Sequence, residues 1–503
     1  MESKVSRRLQ QPTAQEVCDH IYLPRLNREF ASGFTYLTDI NAAHLLMLRK
    51  AGLVPTNVAA LLARTLVKMQ GDGPDAVTLD PQREDAYFNY EAQLMSLAGS
   101  DVGGRLHVAR SRNDILATHD RLRARDIGLN VLDALNAARE VALSRAAAYA
   151  DVVMPGYTHL QSAQPISYGH YLSAVAQAMA RDAGRIEQAI VNMDASPLGA
   201  GALAGTAFPI QREETARLLG FSGCVENSLD AVASRDFAWE LMSAMTIASL
   251  TWGRIAQDFY VWATSEFGMN ECPDSVAGTS SIMPQKKNPV VVEYLKGKTS
   301  HLIGLLTAAM SAVKGTHFTH SGDGNRESMR SFWESADECL RCLVLFKLVI
   351  DSARPVEATM LHKARTDFST ATDLADALVR ESDLSFREAH HVVGAVVRQA
   401  LDAGLPASDI TAEMVNAAAT EQTGRPICLS EQSVRLCLDP AYSLESRSAK
   451  GGPAPSLVVL RIAQQRDELH KAQERAMRTR QMVADSRTRL QCELTELADL
   501  SAD

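Results

Sequence analysis

Between Gly278 and Pro289 the chain reads GTSSIMPQKKNP, which sets two hydroxyls (Ser280 and Ser281), an ammonium (Lys286) and an amide (Asn288) on one glycine-led loop. Hydroxyls, amide donors and a cation together suit an anionic substrate that has a proton to lose. Asn288 is a favoured N-cap and Pro289 fits the first helical position, so the apolar run VVVEYLKGKTSHLIGLLTAAM is predicted to be a helix starting there. The positive end of that helix would lie beside Lys286 and favour a carboxylate at the same place. Gly278 predicts a sharp bend that presents the two serines to a ligand. On residue types alone, a solvated helix cap has the same composition.

Two other polar clusters each precede a long helical pattern. Ser111, Arg112 and Asn113 lead into DILATHDRLRARDIGLNVLDALNAAREVALSRAAAYA. The loop Tyr157-Thr158-His159-Leu160-Gln161 runs through Gln164 and Pro165 into ISYGHYLSAVAQAMARDAGRIEQAIVNM. A helix from Asp114 to about Ala150 would be roughly 55 Å long at about 1.5 Å per residue. A fourth rod, from near Asp236, carries Leu241, Met245, Ala248, Trp252, Ile255, Phe259 and Trp262 at alternating steps of four and three, the pattern of a bundle seam. Ala238, Met242, Ile247, Leu250 and Val261 on its other faces predict burial on more than one side, within a multi-helix or inter-subunit bundle.

A chain of 503 residues with 46% hydrophobic but only 6% aromatic residues favours helices packed on helices over sheets. The fold class expected is therefore all-α, with three regions: an N-terminal helical domain (1–110), a central long-helix bundle (111–360) and a small helical C-terminal domain with a charged tail (361–503). In that tail Ile462, Leu469, Ala476, Val483 and Leu490 recur every seven residues, which predicts a helix lying along the body. A net charge of −9 argues against general nucleic-acid binding, so local cations must meet an anionic substrate. Eight cysteines without framework spacing fit a reducing compartment, and Cys339 and Cys342 fall in a helical pattern, which reads as packing rather than metal or redox work. The first residues lack a signal-peptide apolar core and no stretch is long enough to span a membrane, so a cytoplasmic protein is expected.

The order of residues in GTSSIMPQKKNP resembles the signature loop of the argininosuccinate lyase and fumarase superfamily. EDAYFNYE, VGGRLHVARSRND, GYTHLQSAQP, SPLGAGALAGTAFPIQRE, NSLDAVASRDF, ATDLADALVRESDLSFREAHHVVG and SRSAKGGPAPSLV resemble segments of the argininosuccinate lyase family over nearly the whole chain. That resemblance implies three helical domains, four identical subunits joined through a central helical bundle, and active sites built from loops of three different subunits. It implies elimination of an amine from an N-substituted aspartate to release fumarate, with no metal or organic cofactor and a small dicarboxylate or amino acid as partner.

By position, Ser280 matches the family's general base and Lys286 and Asn288 match the groups holding the carboxylate that gains charge, with Ser281 donating a further hydrogen bond. Arg112 and Asn113, with Ser111 before them, resemble residues that grip the succinyl part. Thr158, His159 and Gln161 match the second loop, where His159 orients or binds a carboxylate, and Glu293 corresponds to the carboxylate that pairs with that histidine. The signature loop is expected to close over substrate.

The family's Y-N-K-D-L-Q-E-D-K segment, which helps to hold the arginine end, is replaced here by THFTHSGDGNRES. His317, His320 and Arg326 are read there as added positive charge, with Arg326 in contact with substrate. Tyr87, Ser234 and Gln211 also replace family residues. A guanidinium tail calls for carboxylates, whereas a second succinyl tail calls for cations. The segment thus favours an aminopolycarboxylate of the ethylenediamine-N,N'-disuccinate type; argininosuccinate is the alternative, and a catalytically silent, crystallin-like relative is a third reading.

Overall fold

A computed structural model describes residues 8, 9 and 11–500. Its framework is five long helices: α4 (Arg112–Ala148), α5 (Tyr168–Asn192), α6 (Asp236–Trp262), α7 (Val290–Val313) and α8 (Gly322–Ser352). They are preceded by α1 (Leu23–Lys50), α2 (Thr56–Asp72) and α3 (Ala86–Ala98). The rods pack in a closed circuit, α4 on α5, α5 on α6, α6 on α7, α7 on α8 and α8 back on α4. The all-α expectation holds, and strands are limited to short pairs. No helix among the described residues is long and apolar enough to cross a membrane.

The predicted seam of α6 is buried throughout: Leu241, Met245, Ala248, Trp252, Ile255, Phe259 and Trp262 all lie in the central hydrophobic cluster. Ala238 and Met242 are buried as well, but Ile247 and Leu250 remain 41% and 44% exposed within the single chain. Cys339 and Cys342 sit in the same core as packing residues, and burial pushes the Cys342 thiol up to about 12. A second cluster joins α1, α2 and α3. A third is formed by short helices between residues 371 and 437 and is separate from the bundle core.

The charged tail forms one helix, α9 (Pro455–Ala498), which runs along α4, α2 and α5. Its heptad residues Ile462, Leu469, Ala476, Val483 and Leu490 are all buried, as the spacing predicts. Arg487 reaches back to Asp39 at 3.4 Å and Asp126 at 2.9 Å, so the tail is tied to α1 and α4 by charge as well as by apolar contact.

Between α4 and α5 the chain forms a hairpin of β1 (Val153–Thr158) and β2 (Gln161–Ser167), where the sequence pattern had suggested only a loop. Thr158 pairs with Gln161, leaving His159 and Leu160 as a two-residue turn with φ of 55° at both. Turns of this length need positive φ to match the strand twist, and the usual Asn-Gly signal is absent. The left-handed conformation costs roughly 1–2 kcal/mol for each non-glycine residue, and such strain concentrates at functional positions.

Candidate active site

The signature loop is itself a hairpin. It is closed by β3 (Gly278–Thr279) and β4 (Lys287–Asn288), with Gly278 opposite Asn288 and Thr279 opposite Lys287. This corrects two expectations. Asn288 is in the ladder and does not cap α7, which begins at Val290 with no side-chain cap; the Asn288 amide instead reaches the Thr279 carbonyl at 3.4 Å. Gly278 has no left-handed φ. It must be glycine because a Cβ there would lie 2.5 Å from Val290 Cγ1.

Within the loop, the backbone N–H groups of Met283 and Ile282 donate to Ser280 Oγ at 3.1 and 3.4 Å. Two donors aimed at one hydroxyl oxygen favour negative charge on it. Lys287 is held by Asp274 at 2.7 Å and Glu271 at 3.8 Å, whereas the Lys286 side chain is exposed and has no side-chain partner among the described residues. Ser281 is exposed as well, and Glu293 is exposed in the first turn of α7.

The first motif loop is organised by a capping box: Ser111 Oγ accepts the Asn113 N–H at 3.3 Å, while Asp114 accepts the Ser111 N–H at 2.9 Å. Asp114 is fully buried and also accepts the N–H groups of Gly199 and Gly201, both at 3.0 Å. It therefore fastens the 199–205 loop to the start of α4, and the Asn113 amide adds a bond to the Ala202 carbonyl at 3.1 Å. Burial raises the Asp114 carboxyl to about 6 in spite of those donors. The S-x-x-D spacing announces the local half of this arrangement; its contact with glycines 85 and 87 positions downstream has no local signal.

Arg112 donates to Glu84 and Asp85, each at 2.9 Å, and lies 4.0 Å over the Phe88 ring. Those acidic partners come from the EDAYFNYE segment, which drew attention only as a likeness. Arg326 lies in the first turns of α8. Its charge is disfavoured by burial, then by Arg25, and also by Arg112, with Asp85 and Glu29 acting the other way.

His320 does not bring the positive charge expected of it. Burial first, then the Arg235 and Arg326 guanidinium groups, push it down to about 4, and its Nδ1 lies 3.3 Å from the Asn325 amide. Tyr87 is buried and its hydroxyl donates to Glu91 at 3.0 Å, with His107 Nδ1 2.9 Å away, so this departure from the family pattern belongs to the α3 packing network.

A titration consequence follows. With a folded pKa of about 4 against an ordinary 6.5, the unfolded chain binds one more proton than the folded one between those values. The stability conferred by neutral His320 is thus complete above about 6.5 and is lost as pH falls towards about 4. His320→Gln is expected to flatten this dependence, and urea unfolding at pH 7 and pH 5 checks it; equal slopes for both proteins would reject the assignment.

Thr158, His159 and Gln161 are exposed at the hairpin tip. Among the described residues, no hydrogen bond or ion pair joins this tip, the Arg112 loop and the signature loop within one chain, nor His159 and Glu293.

The arrangement matches known proteins. The lyase family model covers residues 38–304, and the argininosuccinate lyase C-terminal model covers residues 368–445. Argininosuccinate lyase 1 of Shouchella clausii is 39% identical over 91% of this chain and 92% of its own. This chain belongs to the argininosuccinate lyase family of the aspartase/fumarase superfamily. It is, accordingly, a carbon–nitrogen lyase. The family fold is matched in solved structures by EDDS lyase in complex with formate, with a TM-score of 0.87 and 32% identity over 93% of each chain. A doubly substituted EDDS lyase with bound fumarate gives a TM-score of 0.85 and 30% identity over 97% of this chain and 99% of its own.

Proposed function

We propose that this enzyme removes succinyl arms as fumarate from an aminopolycarboxylate such as ethylenediamine-N,N'-disuccinate, reversibly and with anti geometry. Ser280 takes the proton from the carbon beside a carboxylate, and the Met283 and Ile282 N–H groups favour its alkoxide. Lys286, Asn288 and Ser281 hold the doubly charged aci-carboxylate. Ser111, Arg112 and Asn113 grip the succinyl part, and Thr158, His159 and Gln161 complete its binding, with Glu293 orienting His159. The C–N bond then breaks, the amine carries away the electron pair with a proton, and fumarate remains.

The observation that supports the choice of amine is Arg326, a half-buried cation whose charge is disfavoured by burial and by Arg25 and Arg112 and which a second carboxylate would stabilise. Argininosuccinate is the second reading, favoured by the name of the Shouchella clausii relative and by Glu84 and Asp85 beside Arg112. Incubation with fumarate and either ethylenediamine or arginine, followed by loss of fumarate absorbance, separates the two. Consumption with ethylenediamine is expected; consumption with arginine alone would replace the first reading by the second.

The working form we propose is a homotetramer with shared sites. Two observations support it: no hydrogen bond or ion pair among the described residues joins the motif loops within one chain, and large apolar side chains face outward from α6, α7 and α8. They are Ile247 and Leu250, Ile303 and Met310, and Val344 and Leu348, each at least 41% exposed. Large apolar side chains exposed on three packed rods are the kind of surface that another copy covers.

A further inference from the structure

Just before α3 the chain turns tightly and aims two consecutive carboxylates at one nitrogen. Glu84 has φ 67° and ψ −60°, and the Asp85 N–H donates to the Arg83 carbonyl, two residues back, at 2.8 Å. These are the marks of a γ-turn of the rare, strained hand, and strain of this kind persists only where the surrounding structure imposes it, with a concentration at functional sites. Neighbouring side chains ordinarily diverge. Here Glu84 Oε2 and Asp85 Oδ2 both accept from Arg112 Nη1, each at 2.9 Å.

Asp85 is buried and acts in two directions: Oδ2 takes Arg112, and Oδ1 caps α3 by accepting the Phe88 N–H at 3.0 Å. The capped turn carries the Phe88 ring, which lies 4.0 Å from the Arg112 guanidinium. Nη1 has two hydrogens and both are taken, while no bond among the described residues reaches Nη2 or Nε, and the Arg112 side chain stays 31% exposed. The Nε–H and one Nη2–H point the same way, and that edge can bind both oxygens of a carboxylate. A cation needed only for its charge would be weakened by two acids beside an anionic substrate. A cation whose orientation matters gains from them, because its long side chain is fixed before substrate arrives.

We infer that Glu84, Asp85 and Phe88 are positioning residues that hold Arg112 by Nη1 and by one face, so that its Nε and Nη2 edge takes a carboxylate of the succinyl arm. This rests on the reading that gives Arg112 the succinyl part, and deepens it. The three residues act through Arg112.

Calorimetric binding of succinate tests the arrangement whichever amine is released. Arg112→Met is expected to weaken succinate binding at least about thirtyfold, and Glu84→Gln, Asp85→Asn and Phe88→Leu about five- to tenfold each. In the last three variants KM for fumarate, measured with whichever amine is consumed, should rise by the same factor and carry more of the loss than kcat. In an Arg112→Met background Asp85→Asn should add less than about twofold, because residues that act through one side chain are not additive. Asparagine can still cap α3, so Asp85→Asn keeps the helix start. Glu84→Gly should melt no lower than wild type, since glycine takes a φ of 67° without strain, and yet bind succinate as weakly as Glu84→Gln. If Arg112→Met binds succinate like wild type, the succinyl role of Arg112 falls and the holder falls with it. If Arg112→Met is weakened but Glu84→Gln and Asp85→Asn bind succinate as well as wild type or better, the two acids only oppose the anion and the holder alone is overturned.

Discussion

Ser280→Ala is expected to lower the elimination rate by at least about a thousandfold, roughly 4 kcal/mol of barrier, while folding, assembly and binding of succinyl ligands persist. The reason is the weakness of the acid involved. A proton on the carbon beside a carboxylate leaves only if a strong base meets it and if the second negative charge is stabilised as it forms. In this chain the hydroxyl that receives N–H bonds from residues 282 and 283 is Ser280, whereas Ser281 has no such support. The exposed loop contributes nothing to the bundle core, so its loss should leave the melting temperature unchanged. Single-turnover fumarate release and calorimetric binding of succinate check the two halves of this expectation. Turnover within about tenfold of wild type would remove Ser280 from the role of base.

Leu250→Glu is expected to dissociate the assembly and abolish activity together. Within the chain Leu250 is 44% exposed, so a carboxylate there is solvated and the subunit should fold with its own core intact. Between subunits the same carboxylate would be buried against apolar partners, at a cost of several kcal/mol for each uncompensated charge. The penalty repeats at every copy of the face. Because no hydrogen bond or ion pair among the described residues joins the hairpin tip, the signature loop and the Arg112 loop inside one chain, a dissociated subunit is expected to hold only fragments of a site. Light scattering and fumarate release on the same samples check this. A wild type that is monomeric and active would dismiss the shared-site tetramer, and so would a variant that dissociates yet turns over normally.

Local chemistry made much of the molecule legible. The seam of α6 and the heptads of α9 follow helical periodicity, which a single sequence displays directly, and all of those residues are buried. The capping box that starts α4 has a spacing visible from Ser111 to Asp114. The order of residues from Gly278 to Pro289 pointed to the family, and the chain belongs to it.

Other features depended on distance in space. Nothing local in the His159-Leu160 dipeptide announces a two-residue turn, because the strand pairing imposes its positive φ values from outside. Asn288 looks like a helix cap until Gly278 takes it as a ladder partner. His320 looks like a cation until burial and two neighbouring guanidinium groups discharge it.

Sequence by itself determined the helical rods, the packing faces and the membership of a fumarate-forming lyase family, because periodicity and residue order are local properties of the chain. Tertiary structure alone decided which charges are paired and which are neutralised, because burial and contact between segments distant in sequence exist only once the helices are packed.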